Sequence, residues 1–595
     1  MNIYTLDFET YFDDTYTLKK MTTEAYIRDP RFEALLLGVR EPDGNTFWLN
    51  QEQIAPWLAS VDWSQNAILA HHAHFDGLIL SHHYGVTPKY WFDTLCMAKL
   101  MIGNHLSVAL SALAKHYELG SKSVQYDDFK GRSWVNLLIE LRRELGEGCI
   151  RDVKLTWEIF QRLAADFPAA EYGVIDMTVR MFTEPKLVGD ADEFERIKID
   201  EWIRKSEALI RLGVTEADVQ SSSRFANLLY MEDFELETKE SENGPVPAVS
   251  ASDQFMRSLL THEHLRVRLL AEARLDAKST IEETSAGRLA SMARRGRIAV
   301  YLNYCGAHTT RWSDGDKVNF QNFRRGGDLR KALSAPKGYM LAVCDLSQIE
   351  CRILNYCARQ TDVVEAFADK RDVYAEGATK FFGFPINKKD HSEKRRLFKA
   401  VELACGYGMG GAKFAAFCAV QDPPLHLEDG QETDLIKSYR TTHSRVTAYW
   451  HEGDQMLDFI ANGVGQMQWG PLIVERGKII LPNGTPILYE LQKNRVQGGW
   501  ERRTRNSWSP IWGGTLVENV VHAMARVVMS EAMMRIRNRS YSIALITHDE
   551  VVCIVPEHQA EQHYALIEAE MKQTPIWLPG IPLYTQGGVS ERYEK

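Results

Sequence analysis

The sequence predicts an α/β chain divided into several domains, and three changes of texture carry that prediction. Residues 1–95 alternate short apolar runs with turn residues, and helical patterns then continue to about 165. Residues 170–300 are charged and mostly helical in period, as in FERIKIDEWIRKSEALIRL. From about 300 onward strands and helices mix again, so boundaries are expected near 165 and near 300. No internal repeat is visible.

Composition narrows the class. Hydrophobic residues make up 45% and charged residues 25% of the 595, ordinary values for a chain with sizeable cores. No apolar run reaches the ~18 residues of a membrane-spanning helix. The acidic start MNIYTLDFETYFDD has no signal-peptide pattern. A cytoplasmic protein with no membrane partner is therefore expected. Nine scattered cysteines without a CxxC spacing favour a reducing compartment over a disulfide framework or a zinc site. The net charge of −10 speaks mildly against a nucleic-acid partner. Three local runs oppose it: RRGGDLRK (324–331), KKDHSEKRRLFK (388–399) and KNRVQGGWERRTR (493–505). Each alone reads as a solvated face, but three in one half of the chain point to a polyanion.

Taken in order, the first strand YTLDFETY holds Asp7 and Glu9 two residues apart, which puts both carboxylates on one face. They repel unless a hard cation such as Mg²⁺ lies between them. A solvent-facing acidic strand is the simpler alternative. Asp76 follows an apolar run in ILAHHAHFDGLIL, and Asp152 in CIRDVKLTWEIF lies on a helix with apolar partners at 153, 155 and 159. In the second region ETKESENGPVPAVSASD (237–253) reads as a loop.

LAVCDLSQIECRIL predicts a strand over 339–345, Asp345 at its end and a helix from Ser347. Helices are expected through 348–460, strands within 471–490 and a long helix near 515–538. LITHDEVVCIVP predicts a hairpin whose apolar arms flank His548, Asp549 and Glu550. Hairpin tips usually carry Gly, Asn or a single Asp, so adjacent acids there need a neutralising partner. If strand 339–345 lies beside the hairpin, Asp345 and Asp549 meet, and divalent cations between them remove the repulsion. Arg395, Lys399 and Leu403 recur every four residues, with Tyr407 beyond, and place two cations on a helix face suited to phosphates. An amphipathic basic helix is the alternative reading.

Two resemblances bear on these residues. The DxE of Asp7 and Glu9, the HHAHFD ending in Asp76 and the RDVKLT containing Asp152 resemble the motifs of DEDD-type 3′–5′ exonucleases; FDTLCMAKL, with Asp93, resembles the segment after their second motif. Two positions depart from that family: its Asn is His72 here, and its water-orienting Tyr or His, four or five residues before the last Asp, is Gly148 or Glu147. The second resemblance is to family A DNA polymerases of the phage branch. DLSQIECR resembles their motif A, RRLFKAVELACGYGMG their motif B and HDE their motif C. GAHTTRWS…NFQN and WGGTLVENVVHAMAR resemble segments that precede motifs A and C.

The resemblances imply an RNase H-like exonuclease domain over 1–165, a thumb with connecting helices over 166–300, and palm and fingers over 301–595, with fingers at about 360–470. They imply two Mg²⁺ ions per active site, replaceable by Mn²⁺. Asp7, Glu9, Asp76 and Asp152 would hold one pair and Asp345 and Asp549 the other, with Glu550 in support. Arg395 and Lys399 would bind the triphosphate, Tyr407 would pack at the insertion site, and Glu350 would crowd a ribose 2′-OH. Leu403 stands where the family has Phe or Tyr beside the sugar. Arg311, Gln321, Asn322 and His548 would contact DNA. The implied partners are primer-template DNA, dNTPs and replication accessory proteins, and the implied state is a monomer. The implied role is template-directed DNA synthesis with proofreading in phage genome replication; some phage relatives copy genomes with 2-aminoadenine in place of adenine. A single-subunit RNA polymerase and an inactive DNA-binding scaffold are the competing readings; Glu350 and the exonuclease motifs oppose the first, the intact acids the second.

Overall fold

The computed structural model describes residues 1–594 except 104, 105, 121–125, 233, 235, 242, 243, 251, 252, 280, 422 and 495–497. The chain forms two compact units. One comprises residues 1–190, 291–350 and 453–595, the other 191–290 and 351–452.

The first unit is built on two sheets. The N-terminal sheet has the order β3-β2-β1-β4-β5, with β1 Ile3–Thr10, β2 Ala34–Arg40, β3 Thr46–Asn50, β4 Ala67–Ala70 and β5 Tyr90–Asp93. β1 runs antiparallel to β2 and parallel to β4, which makes it the central strand. β2 and β4 are apolar and buried on both faces, as strands covered by helices must be. Helix Ile139–Ala164 covers β1 and β2. It comes so close that a Cβ on Gly38 of β2 would lie 2.6 Å from the Cys149 sulfur. Helix Ala73–His83 also packs against β1.

The second sheet has four antiparallel strands in the order Ser542–Thr547, Glu550–Pro556, Tyr339–Leu346, Thr585–Ser590. The expected hairpin is its first pair, and the strand expected over 339–345 lies beside it, joined along its whole length. Gly587 lets the fourth strand approach: a Cβ there would stand 1.8 Å from the Val343 carbonyl oxygen. Helices Gly513–Asn538 and Ala560–Met571 pack together, the latter against this sheet. Strands at 466–488 match the β signals, and three more follow at 491–511; positions 495–497 of the third basic run lie outside the described residues. The helix expected from Ser347 begins at Ile349, because Gln348 has φ 56°.

A buried ion pair joins the two sheets' surroundings. Arg526, on helix Gly513–Asn538, meets Glu171, on helix Ala169–Thr183; its Nη2 lies 2.7 Å from Glu171 Oε2. Tyr304 and Asn483 donate to the same carboxylate at 2.5 and 2.7 Å. With the Thr485 hydroxyl at 3.4 Å as a fourth partner, the buried charge is satisfied, which a fully buried carboxylate requires.

The second unit is mostly helical. One core gathers Phe225, Leu229, Met256, Leu259 and Leu270. The stretch expected as a loop at 237–253 instead contains a hairpin, Thr238–Ser241 with Gly244–Pro247; 242, 243, 251 and 252 lie outside the described residues. The polar first strand and the two prolines of the second hid it. Helices Thr361–Ala368, Val373–Phe382, Ser392–Cys405 and Gln431–Thr442 form a second bundle.

Candidate active site

The structure brings Asp345 and Asp549 together. Asp345 stands near the end of its strand, in register with Glu550, and Asp549 lies in the two-residue turn of the hairpin. The Leu346 amide donates to the Asp549 carbonyl at 2.8 Å, which closes the turn onto the strand. Burial pushes the Asp549 carboxyl up, repulsion from Asp345 adds to it, and the result is a pKa of about 7. Two carboxylates that disfavour each other's charge in this way fit a divalent cation, whose oxygen ligands they would be. In this structure a guanidinium supplies positive charge instead. Arg325 pairs with Asp345. Burial opposes the Arg325 charge, but Asp345, Glu550 and Asp549 outweigh it.

Glu550 is tied differently. Only 1% exposed, it receives Arg330 at 3.2 Å, the Thr547 hydroxyl at 2.9 Å and the Tyr593 hydroxyl. Those bonds make it a support for the hairpin. Arg325 and Arg330 both come from the basic run 324–331, so part of that run neutralises acids of this chain. Sequence reasoning did not assign either arginine; its signal was the position of the run just ahead of the Asp345 strand.

Around this pair lie five other expected residues. Glu350, at the start of helix Ile349–Cys357, is held by Arg311 and by His522 Nε2 at 3.4 Å. Burial works against its charge, yet these two bases win and hold its pKa near 2. His522 carries no motif letter and was missed; it lies on helix Gly513–Asn538. His548 occupies the hairpin turn in the left-handed region, φ 49°, exposed. Gln321 and Asn322 form a short 3₁₀ turn whose amides bond the Asn319 side chain, both at 3.1 Å, and which packs near strand Ser542–Thr547. Gln321 is buried and Asn322 exposed.

In the second unit, Arg395, Lys399 and Leu403 lie on helix Ser392–Cys405. Arg395 pairs with Asp372 at 2.5 Å and lies over the Tyr374 ring. Lys399 and Leu403 are exposed. The helix ends at Cys405, so Tyr407 lies in the turn that follows.

The N-terminal acids form a second cluster in the first unit. Asp7 and Glu9 share a face of β1, and Asp76 Oδ1 accepts from the Phe8 amide at 3.0 Å. Burial, then repulsion from Asp7, raises the Asp76 carboxyl well above the usual range. Asp152 is 2% exposed on helix Ile139–Ala164. One turn earlier Cys149 lies among these acids: its thiol is 3.2 Å from the Asp7 carbonyl and 3.4 Å from Asp7 Oδ2. Ligand atoms of Asp7, Glu9 and Cys149 all lie within 4.8 Å of one another; the two carboxylates suit a hard ion such as Mg²⁺, whereas the thiol, which burial keeps toward its protonated form, does not. Asp93 caps the next helix and accepts the His72 and Ala73 amides at 3.1 and 2.9 Å, which sets the entry to the Asp76 helix. Of the two water-orienting positions, Gly148 is buried and Glu147 points to solvent, 3.6 Å from Arg143.

The family model for DNA polymerase family A matches residues 195–595. The chain belongs to DNA polymerase family A. Among known relatives, the DNA polymerase of Bacillus phage SP02 is 28% identical over 283 residues, covering 45% of this chain and 43% of that protein. DNA polymerase I of Synechocystis is 23% identical over 534 residues, covering 84% of this chain and 51% of its own length. The chain thus spans about half the length of these relatives or less. A solved structure of the Pol1 polymerase domain from M. smegmatis, in complex with DNA primer-template and dNTP, superposes with a TM-score of 0.71 at 19% identity over 99% of this chain and 95% of that one. The mixed multidomain fold is therefore that of the family A polymerases, and no helix among the described residues is long and apolar enough to cross a membrane.

Proposed function

We propose that this family A chain is a template-directed DNA polymerase that joins dNTPs to a primer, carrying a 3′–5′ exonuclease over about residues 1–165 and serving phage genome replication in a host cytoplasm. The observation that carries the reading is the convergence of Asp345 and Asp549, which the hairpin turn brings from residues far apart in sequence. Two divalent ions bound there would supply charge neutralisation for the primer hydroxyl and the departing pyrophosphate. The chain's own residues do the rest. Asp345 and Asp549 hold the ions, Glu550 braces the turn, and Arg395 and Lys399 bind triphosphate oxygens through charge-assisted bonds. Glu350, fixed by Arg311 and His522, walls the sugar pocket. Phosphoryl transfer needs mainly positioning and charge stabilisation, and these residues provide both. The phage role draws on the similarity to the SP02 polymerase.

The exonuclease reading rests on the four acids gathered around β1. The test is primer extension on a defined template with Mg²⁺, offering deoxy-, ribo- and 2-aminoadenine nucleotides, with a 5′-labelled primer to report 3′ degradation. Extension with dNTPs and not rNTPs is expected. Absence of extension with any nucleotide refutes the polymerase reading, and extension with rNTPs alone supports the RNA polymerase alternative.

A further inference from the structure

Within the second unit, helices Thr361–Ala368, Val373–Phe382, Ser392–Cys405 and Gln431–Thr442 enclose a cleft of about 190 Å³ that none of the expected site residues lines. At its floor is Glu402, 6% exposed, one residue before Leu403 but about 100° further round the helix. Glu402 Oε1 lies 3.4 Å from His443 Nε2, whereas Oε2 is buried and makes no hydrogen bond. The Tyr439 hydroxyl, also lining the cleft and buried, makes none either. Its ring stacks on His443 at 4.1 Å and 8°, so both groups are held in place. Buried polar atoms of this kind cost about 1–3 kcal/mol each when left unsatisfied.

We propose that this cleft binds a small organic cation, a primary ammonium on a short methylene chain of the diamine or polyamine class, with the ammonium donating to the Glu402 carboxyl at the floor. Charge selects the class. Around the cleft stand Asp362, Glu365 and Glu376, against Arg371 and an exposed Lys380. Arg371 is already satisfied by both oxygens of Glu376 at 2.9 Å. Asp362 already accepts from Gln360 Nε2 at 2.6 Å, so Glu365 at the rim is left for a second ammonium. Val363, Ala366, Phe398 and Val401 give the cleft apolar walls for methylenes. A divalent metal fits less well, since it demands about six oxygens and the floor offers one carboxyl and a phenol.

Protonation agrees. Burial raises Glu402 to about 8, with Lys380 lowering it and Asp362 raising it, and burial lowers His443 to about 4. The other titratable neighbours are Cys405 on the same helix and Tyr439, whose thiol and phenol are both raised by burial. Burial thus favours the neutral carboxylic acid at Glu402 in the empty cleft. An ammonium beside it favours the carboxylate and expels that proton to the buffer.

The test is isothermal titration calorimetry of 1,4-diaminobutane into the full chain at pH 7, in buffers of different ionisation enthalpy. Saturable 1:1 binding is expected, with about one proton released per ligand. Glu402→Gln should remove the release and weaken binding at least tenfold. Tyr439→Phe should weaken it less, and circular dichroism reports whether either variant still folds. The proton count on the unmodified chain stands whatever the variants do. Absence of saturable binding, binding without proton release, or equal binding of neutral 1-butanol overturns the proposal; binding of Mg²⁺ in place of the diamine overturns it in favour of a metal site.

Discussion

The two acidic centres of the first unit solve one electrostatic problem in different ways. In the second sheet, Asp345 and Asp549 crowd each other, and arginines pair with the acids there: Arg325 with Asp345, Arg330 with Glu550 and Arg311 with Glu350, which His522 also contacts. In the N-terminal sheet, Asp7 and Asp76 also crowd each other, and the contacts they make include a thiol on Asp7 and a backbone amide on Asp76. The N-terminal cluster lacks the aromatic or imidazole group four or five residues before Asp152. The difference teaches that a pair of crowded carboxylates can be held with different partners in the two sheets of one unit.

The largest expected effects break one centre and spare the other. Asp345→Asn or Asp549→Asn should lower primer extension by roughly 10³-fold while DNA binding, read by fluorescence anisotropy, stays within a few-fold. Extension near the unmodified rate would refute the ligand assignment. Asp7→Ala should abolish 3′ degradation of a labelled primer and leave extension unchanged; unaltered degradation would place the nuclease elsewhere. Together the variants ask whether the centres act independently.

Next comes what joins them. Glu171 and Arg526 are 0% and 1% exposed in their side chains. Removing one partner of such a pair costs about 3–5 kcal/mol. Burial works against the Glu171 charge, and Arg526 outweighs it, leaving the carboxyl below its usual value. Glu171→Gln should therefore lower the midpoint of thermal unfolding clearly, with both activities falling together as the temperature rises. A midpoint within a degree of the unmodified chain would show that the pair adds no net stability.

How much of this was legible in the sequence follows from the range of each signal. The hairpin, the Asp345 strand and the long helix at 513–538 were readable because apolar period and turn chemistry are local. The meeting of Asp345 with Asp549 depended on a strand pairing that no local pattern contains; only the motifs pointed to it. The hairpin at 238–247 was hidden because its first strand is polar and its second, Gly244–Pro247, carries two prolines, which argue against a strand. Cys149, Arg325, Tyr593 and His522 were hidden for a different reason. Each acts on a carboxylate distant in sequence, and a lone cysteine, tyrosine or histidine in an apolar helix or tail has no spacing to announce it. Arg325 looked like one more solvated charge in a basic run.

The smallest effect sharpens the comparison most. If the second-sheet centre works by fixing its carboxylates with basic side chains, then Glu350 should need both of its partners. His522→Ala leaves Arg311 in place and removes only the 3.4 Å contact to Oε2. One charge-assisted contact at a partly exposed site is worth about 1 kcal/mol, or roughly fivefold in a rate ratio. The expected outcome is a rise of that size in ribonucleotide incorporation relative to dNTP, with the rate for the correct dNTP nearly unchanged. His522→Gln, which can still donate to Oε2, should restore most of the discrimination, whereas Glu350→Ala should lose far more of it than either. If His522→Ala and His522→Gln behave alike, the imidazole only fills space there. The bracing of Glu350 would then rest on Arg311 alone.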